Sequence, residues 1–173
     1  ARYLRGRRVD VQAIAAEVGL GRTTIYRWFG SREGLLGEAI VRAGEPLVDD
    51  ARAQAAGRGG AMLLDTFDRL NRSLAAAPAL RWFVEQERDA LRILTSSAGI
   101  VHPRMVARVT GLIEDESGAG RYDPPVEPAT LGFAIVRLAE AFLFNDADGL
   151  RGDVERLREV EAALLGVLPA QPS

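Results

Sequence analysis

Residues 10–36 read DVQAIAAEVGLGRTTIYRWFGSREGLL. Apolar positions three and four apart mark a first helix, which begins at the N-cap residue Asp10 and stops at Gly19. After a short turn, Thr23–Phe29 have the spacing of a second short helix, and Ser31 is placed to cap a third. Two short helices joined by a tight glycine-containing turn are typical of a helix-turn-helix motif.

The residue types of the second helix suit contacts with a DNA duplex. Thr23 and Thr24 are short polar residues at its N-terminus, where side chains reach base edges in the major groove. Arg22 and Arg27 can pair with guanine or with phosphates, and the hydroxyl of Tyr26 suits a phosphate oxygen. For Thr23, Thr24 and Arg22, the alternative to contacting a base is a side chain that is solvated or that contacts only phosphates.

The third helix begins with a phosphate site of its own. The Ser31-capped terminus directs the positive end of the helix dipole outward, and Arg32 stands beside it. The helix is expected to run over residues 31–56, kinked but not ended by Pro46. Trp28, just ahead of it, is expected to pack in the core or between helices.

The overall net charge of −2 conceals an uneven distribution. Residues 1–36 hold seven arginines and three acidic residues, a net of +4, whereas the rest of the chain holds 15 arginines and 21 acidic residues, a net of −6. A basic segment attached to an acidic body is typical of a nucleic-acid-binding module carried by another domain. The alternative explanation for this charge distribution is that arginines cluster there by chance, since all basic residues of the chain are arginine.

The rest of the chain also has helical periodicity. Glycine- and proline-rich breaks at 57–60 and 118–125 divide it. Further helices are predicted over residues 62–77, 80–94 (one or two short helices), 102–116, 128–145 and 153–167. The sequence therefore predicts an all-α protein of about nine helices, with a DNA-binding domain at 1–45 and a larger helical domain at 46–173.

The composition excludes several kinds of site. There is no cysteine and only one histidine, His102, which excludes disulfides, thiolate zinc sites, cysteine nucleophiles and multi-histidine metal sites. No apolar run approaches the roughly 18 residues of a membrane span and no signal peptide is evident, so a cytoplasmic protein is expected. The acidic clusters at 85–89 and 114–116 are interpreted as solvated helix faces. We therefore predict no catalytic, cofactor or metal site.

The motif at residues 11–36 resembles the TetR family of one-component bacterial regulators. The matching features are the Ile-Ala pair at 14–15, the Val-Gly turn at 18–19, Tyr26 three residues before Phe29, and the Ser-Arg-Glu-Gly-Leu start of the following helix. The resemblance implies a homodimer that binds a double-stranded DNA operator and responds to a small-molecule effector. It also implies that the first helix of the 1–45 domain is truncated at the start and that residues 46–173 form the ligand-binding and dimerisation domain. The candidate DNA contacts are Gln12, Arg22, Thr23, Thr24, Tyr26, Arg27, Ser31 and Arg32.

The chain departs from the family pattern at two positions. Arg32 replaces a lysine that commonly touches a phosphate in this family, and Asp10 replaces a capping threonine. The first helix of the family should precede Arg5, so the chain is expected to start near the end of that helix. Within the family, residues 2–6 and 26–33 are similar to the lactone-responsive regulators of quorum-signal degradation.

The helix predicted at 128–145 is apolar on more than one face, so it must be covered from two sides. One cover is its own domain, and the other can be a partner subunit, with the last helix completing a four-helix interface as the resemblance also implies. Burial of both helices inside one domain is the alternative. The predicted interface residues are Leu131, Ile135, Leu138, Phe142, Leu157, Leu164 and Leu168.

The resemblance implies an effector pocket among the middle helices. Its candidate lining, most of which would also suit an ordinary core, is Phe67, Leu70, Trp82, Phe83, Met105, Val109, Phe133, Arg137 and Glu140. Buried and unpaired, Arg137 and Glu140 would be costly. They either pair with each other across three positions or meet a polar group of the ligand.

These patterns together predict a dimeric, ligand-responsive transcriptional regulator, in particular a repressor released by a small, largely apolar effector. A helical small-molecule-binding protein without DNA binding is the alternative from another class. A helical enzyme lacks a convincing nucleophile, metal set or acid–base pair in this sequence.

Overall fold

A computed structural model describes residues 21–144 and 149–167, with the backbone alone for Arg22 and Ile25. Within these ranges the chain forms eight α-helices and no strand, which confirms the all-α prediction. The helix predicted from Asp10 lies outside the described residues. No described helix combines the length and the apolar composition that crossing a bilayer requires.

The eight helices range in length from 6 to 23 residues. The two helices of the predicted DNA-binding region are α1 (Arg22–Phe29) and α2 (Arg32–Gln54). The remaining helices are α3 (Gly59–Ala76), α4 (Pro78–Gln86), α5 (Ala90–Thr95), α6 (Val101–Gly118), α7 (Pro128–Phe144) and α8 (Val154–Leu164).

Local sequence signals set several of these boundaries. The Ser31 hydroxyl accepts a hydrogen bond from the Gly34 N–H (3.0 Å), and the Asp153 carboxylate accepts one from the Arg156 N–H (3.1 Å), so both predicted caps are confirmed. Helix α2 continues through Pro46, as expected. Helix α3 begins at Gly59, three residues earlier than predicted, and α8 ends three residues earlier.

The helices belong to two compact units. The described part of the first unit contains residues 21–44 and 77–103, and that of the second contains residues 45–76, 104–144 and 149–167. Helices α2 and α6 therefore contribute residues to both units. Because residues 77–103 group with the first unit, the units differ from the predicted domains, and the domain boundary at residue 45 stays a prediction.

The second unit has a continuous apolar core, built mainly where α3, α7 and α8 pack together. Leu63 of α3 and Ile113 of α6 have no exposed surface, and Leu131 of α7 is 1% exposed. Helix α7 also approaches α6 closely, because a Cβ at Gly132 would lie only 2.3 Å from the hydroxyl oxygen of Thr110. Burial of these apolar side chains drives the unit to fold.

One carboxylate is buried inside this apolar core. Glu161 of α8 has no exposed surface, and its Oε1 accepts a hydrogen bond from the Asn71 side-chain amide of α3 (2.9 Å). Its Oε2 has no hydrogen-bond partner among the described residues. Burial, opposed by the hydrogen bond from Asn71 and assisted by the nearby charge of Asp68, raises the pKa of Glu161 to about 7. Near neutral pH this side chain therefore exists in both protonation states.

We predict that Glu161 makes the stability of the fold depend on pH. Because its folded-state pKa lies above that of the unfolded chain, its stabilising contribution is complete below about pH 4.5 and is lost as the pH rises through about 7. The loss is on the order of 3 kcal/mol in the free energy of unfolding. Glu161→Gln keeps the amide contact without an ionisable group, so urea denaturation at pH 5 and pH 8 should show a smaller difference than in the wild type.

The matched control is Glu159→Gln, at an exposed position of the same helix. It should retain the pH dependence of the wild-type chain at equal protein concentration. If Glu161→Gln and Glu159→Gln lost the same stability between the two pH values, the assignment to Glu161 would be wrong.

Candidate nucleic-acid interface

The turn between α1 and α2 is fixed by two glycines. Gly30 ends α1 with φ at +71°, a conformation that favours glycine, and its N–H donates to the Tyr26 carbonyl oxygen. Gly34 lies in the first turn of α2, where a Cβ would approach the Phe29 carbonyl oxygen to 2.0 Å. A larger residue at Gly34 would force the two helices apart, so the glycine sets the start of α2 relative to α1.

Helix α1 presents a polar face to solvent. Thr23 and Arg27 are exposed, and Thr24 and Tyr26 are partly exposed. Spacings of three and four residues place Thr23, Tyr26 and Arg27 on one side of the helix. Ser31 is exposed at the start of α2 while its hydroxyl caps the helix. The structure thus gathers these predicted DNA contacts on one short helix and the following turn.

Two predicted contacts lie outside this description, Gln12 and the side chain of Arg22. The expectation for Trp28 is wrong, because this side chain is 59% exposed rather than packed between helices. Trp28 lies about 100° around the helix from Arg27, outside the face that Thr23, Tyr26 and Arg27 share.

Arg32 has a partner inside the chain. Its Nη1 and Nη2 donate to the two carboxylate oxygens of Glu87 at 3.0 and 2.7 Å, and the side chain of Glu87 is only 4% exposed. At least two of its five donors are therefore engaged, and its charge is offset by a buried carboxylate. The predicted phosphate contact of Arg32 would have to share the guanidinium with Glu87.

A second ion pair reinforces the first. Glu33, next to Arg32 in α2, accepts two hydrogen bonds from Arg92 of α5, and Asp89 lies 3.4 Å from the same guanidinium. Both pairs join the first turn of α2 to residues 87–92, and all these residues belong to the first compact unit. Neither partner is signalled by the sequence, because 55 and 59 residues separate the paired positions.

The residues predicted to line an effector pocket are divided between the two units, and the pocket stays a prediction. Phe67, Leu70 and Val109 are buried in the packed core of the second unit, whereas Phe133 is 47% exposed. Met105 packs against that core, and Trp82 (partly exposed) and Phe83 (buried) belong to the first unit. Arg137 donates to Glu140 at 2.9 Å, so of the two alternatives for these residues the structure contains the internal pair.

The structure buries part of the predicted dimer face of α7 inside its own unit, contrary to the prediction. Leu131 and Ile135, predicted to face a partner subunit, are at most 2% exposed in the core of their own unit, as is Leu157 of α8. Phe133 lies on the opposite side of α7, with the guanidinium of Arg137 at 5.3 Å from its ring centroid. The more apolar stripe covers the core because its burial stabilises the single chain most.

The other predicted interface residues of α7 and α8 differ in their exposure. Phe142 is buried, Leu138 and Leu164 are partly exposed, and Leu168 lies outside the described residues.

In the part of the chain that the structure describes, no group of three or more histidine, cysteine or acidic side chains is arranged to hold a metal ion.

Two family models match the chain. Residues 6–39 match "Bacterial regulatory proteins, tetR family", and residues 58–166 match "Tetracyclin repressor-like, C-terminal domain". Together they include the helix-turn-helix region and most of the second half of the chain. No curated protein sequence matches significantly.

Two solved structures are similar to this chain. The transcriptional repressor QsdR from R. erythropolis, of the TetR family, has 27% identity and a TM-score of 0.87, over 99% of this chain and 92% of that one. The TetR-family repressor AlkX from Dietzia sp. strain DQ12-45-1b, implicated in biodegradation of n-alkanes, has 22% identity and a TM-score of 0.65, over 95% and 90%. The second likeness concerns the fold alone.

We predict that the Arg32–Glu87 pair stabilises the first unit. Replacing Arg32 with glutamine leaves the buried Glu87 carboxylate without its counter-charge, so the free energy of unfolding should fall by roughly 2–4 kcal/mol. A double-mutant cycle with Glu87→Gln, measured by urea denaturation, should give a coupling energy of about 1–3 kcal/mol.

The exposed pair Arg42–Glu38 serves as the control, because it joins neighbouring turns of α2 and its arginine is 75% exposed. Its coupling energy should stay at or below about 0.5 kcal/mol. A value for Arg32–Glu87 no larger than that of the control pair would contradict this account.

Proposed function

The chain belongs to the TetR family of bacterial regulatory proteins, and we propose that it represses transcription by binding a pseudo-palindromic operator as a homodimer. Family membership makes it a ligand-responsive transcriptional regulator and not an enzyme. In this proposal a small, largely apolar effector releases the operator. The protein acts in the bacterial cytoplasm, where its DNA target lies.

The observation that carries the proposal is the exposed polar face of α1. Thr23 offers a hydroxyl to a base edge or a methyl group to thymine, and Arg27 pairs with guanine or with a phosphate. The Tyr26 hydroxyl donates to a phosphate oxygen. Gly30 and Gly34 support this reading, because they fix the helix against α2, and recognition requires a rigid rod that fits the major groove.

The proposed dimer uses the outer faces of α7 and α8. These helices pack against each other, and each leaves an apolar side chain at the surface: Phe133 is 47% exposed and Val160 is 41% exposed. A two-fold axis through this surface would make the same patch meet itself. Two heads would then carry a summed charge of about +8 onto half-sites one DNA turn apart, roughly 34–36 Å.

Helix α2 is the proposed route from effector to DNA. It contributes residues up to Gly44 to the first unit and residues from Glu45 to the second, with Pro46 just beyond this boundary. An effector that binds better to a conformation of the second unit with a different α2 path would shift the population away from the DNA-binding state.

The proposed effector site lies among the buried side chains of Phe67, Leu70 and Val109. These residues belong to one packed core cluster, so the effector would have to stabilise a rearranged packing there. The similarity of residues 26–33 to lactone-responsive regulators makes an acyl lactone the first compound to test.

We predict that Arg27→Ala weakens operator binding about tenfold or more, because each head loses a charged contact with DNA. If the contact is to a phosphate, the slope of log K against log salt should fall by about one for each head. Tyr26→Phe should weaken binding less. The operator is first selected from genomic fragments, and affinity is then measured by fluorescence anisotropy over a salt series.

Arg151→Ala provides the control, because it removes an equal charge at an exposed position of the second unit. It should bind the operator as the wild type does. Wild-type affinity in Arg27→Ala would refute the proposed contact. Failure of the wild-type chain to bind any duplex in a salt-dependent way would favour the alternative, a helical small-molecule-binding protein without DNA binding.

We predict that Phe133→Asp combined with Val160→Asp dissociates the dimer, because two charges would be buried against their symmetry mates. Light scattering at about 10 µM protein should give twice the 18.7 kDa chain mass for the wild type and the chain mass for the double variant. Leu91→Asp is the control, since Leu91 is 49% exposed but belongs to the first unit. A monomeric wild type, or a dimeric double variant, would exclude this interface.

A further inference from the structure

The two glycine-rich breaks of the sequence come together in the second unit. Residues 57–60, between α2 and α3, and residues 118–122, after α6, border a surface cavity of about 510 Å³. Neither segment takes part in the proposed DNA, dimer or effector sites. The cavity is lined by Arg52, Gly57, Arg58, Met62, Glu116 and Arg121.

Close backbone contacts fix the walls of this cavity. Gly59 has φ at +59°, and a Cβ there would lie 2.1 Å from the Arg121 carbonyl oxygen. At Gly60 a Cβ would lie 3.0 Å from the ring of Tyr122, whose hydroxyl donates to the Leu165 carbonyl oxygen at 2.8 Å. The loop after α6 is therefore held both to the start of α3 and to the end of α8.

Glu116 is the anchor of the charged wall and already has its full set of donors. Arg121 donates to both of its oxygens (2.9 and 2.8 Å), Arg52 donates to Oε1 (3.0 Å), and the Gly59 N–H donates to Oε2 (3.2 Å). Mainly through the hydrogen bonds from Arg121, the pKa of Glu116 falls to about 2. This carboxylate is thus ionised at neutral pH and orients two arginines around the cavity.

The charges of the cavity are not balanced. Its lining has three arginines and one glutamate, a net charge of +2, although Asp115 also acts on Arg121 at longer range. The Nη1 of Arg52 is buried and has no hydrogen-bond acceptor among the described residues. Arg58 is exposed and forms no ion pair with a described residue. The N-terminus of the 18-residue helix α3 adds its positive end beside them.

We propose that this cavity binds an oxyanion, the carboxylate or phosphate group of a small molecule. Arg58 closes over the anion, and Arg121, whose side chain is 43% exposed, donates from the guanidinium nitrogen that Glu116 does not engage. Glu116 takes the role of a positioning residue, because it holds Arg121 at the wall and touches the anion only through it. Binding joins the loop at 57–60 to the loop at 118–122 and stabilises the second unit. The site is separate from the proposed operator and effector sites and does not depend on them.

The test is a titration of the full chain with inorganic phosphate and, separately, with succinate, both at constant ionic strength set with chloride. Backbone amide shifts of Gly57, Gly59, Gly60, Gly118 and Gly120 are followed by NMR. At least one probe should produce saturable shifts confined to the two loops, with a Kd in the millimolar range or below. Response to phosphate alone assigns a phosphate ligand, response to succinate alone assigns a carboxylate, and response to both assigns a site for either group.

Variants at Arg58 locate the binding. Arg58→Gln should raise the Kd about fivefold to tenfold, whereas Arg58→Lys, which keeps the charge, should stay within about threefold. Arg151→Gln removes an equal charge from another exposed position of the same unit and should leave the Kd unchanged. Arg58 is exposed, so its variants are expected to fold, and their circular dichroism should match that of the wild type. The proposal is overturned if neither probe gives saturable shifts in these loops, or if Arg58→Gln binds as tightly as the wild type.

Discussion

The guanidinium of Arg32 determines how the DNA-binding head is built into its unit. It stands in the first turn of the helix that follows the candidate recognition helix, and both of its terminal nitrogens are held by the nearly buried carboxylate of Glu87. Breaking such a pair leaves a charge in a poorly solvated position, so the two residues stabilise one arrangement of α2 against residues 87–92. Because Gly30 and Gly34 fix α1 against α2, the orientation of α1 within this unit depends on the same ion pair.

This arrangement bears on how a signal reaches the head. Residues 77–103 follow α3 of the second unit in the sequence, yet they pack with α2 in the first. In the proposed mechanism, the chain connections at both ends of this segment would be a route to the head in addition to α2.

A glycine-rich break in the helical periodicity does not by itself reveal what that segment contributes to the structure, as the two breaks in this chain show. At Gly59 and Gly60 the missing Cβ lets the start of α3 approach the loop after α6. That approach brings Arg52 and Arg121, from two separate segments, to one carboxylate, Glu116, in a cavity that Arg58 also lines. The local sequence around Gly57 has the composition of a linker, and only the fold shows that it borders a charged cavity.

The sequence by itself determined the helical class, the caps at Ser31 and Asp153, the helix-turn-helix spacing and the exposed positions of Thr23 and Arg27. These follow from interactions within a few residues, such as side-chain capping and helical periodicity, so a short window contains the whole cause. The Arg137–Glu140 pair could be predicted as one of two alternatives for the same reason, since three positions separate the two residues.

Only the tertiary structure decided the partner of Arg32, the exposure of Trp28 and the buried face of α7. Both apolar stripes of α7 satisfy the same helical periodicity, and the choice between them depends on which one packs against α3 and α8. The ion pairs that Glu87 and Glu116 form with arginines could not be predicted for a similar reason. Their arginine partners at positions 32 and 52 lie 55 and 64 residues away, and no local signal in a single sequence records a contact over that distance.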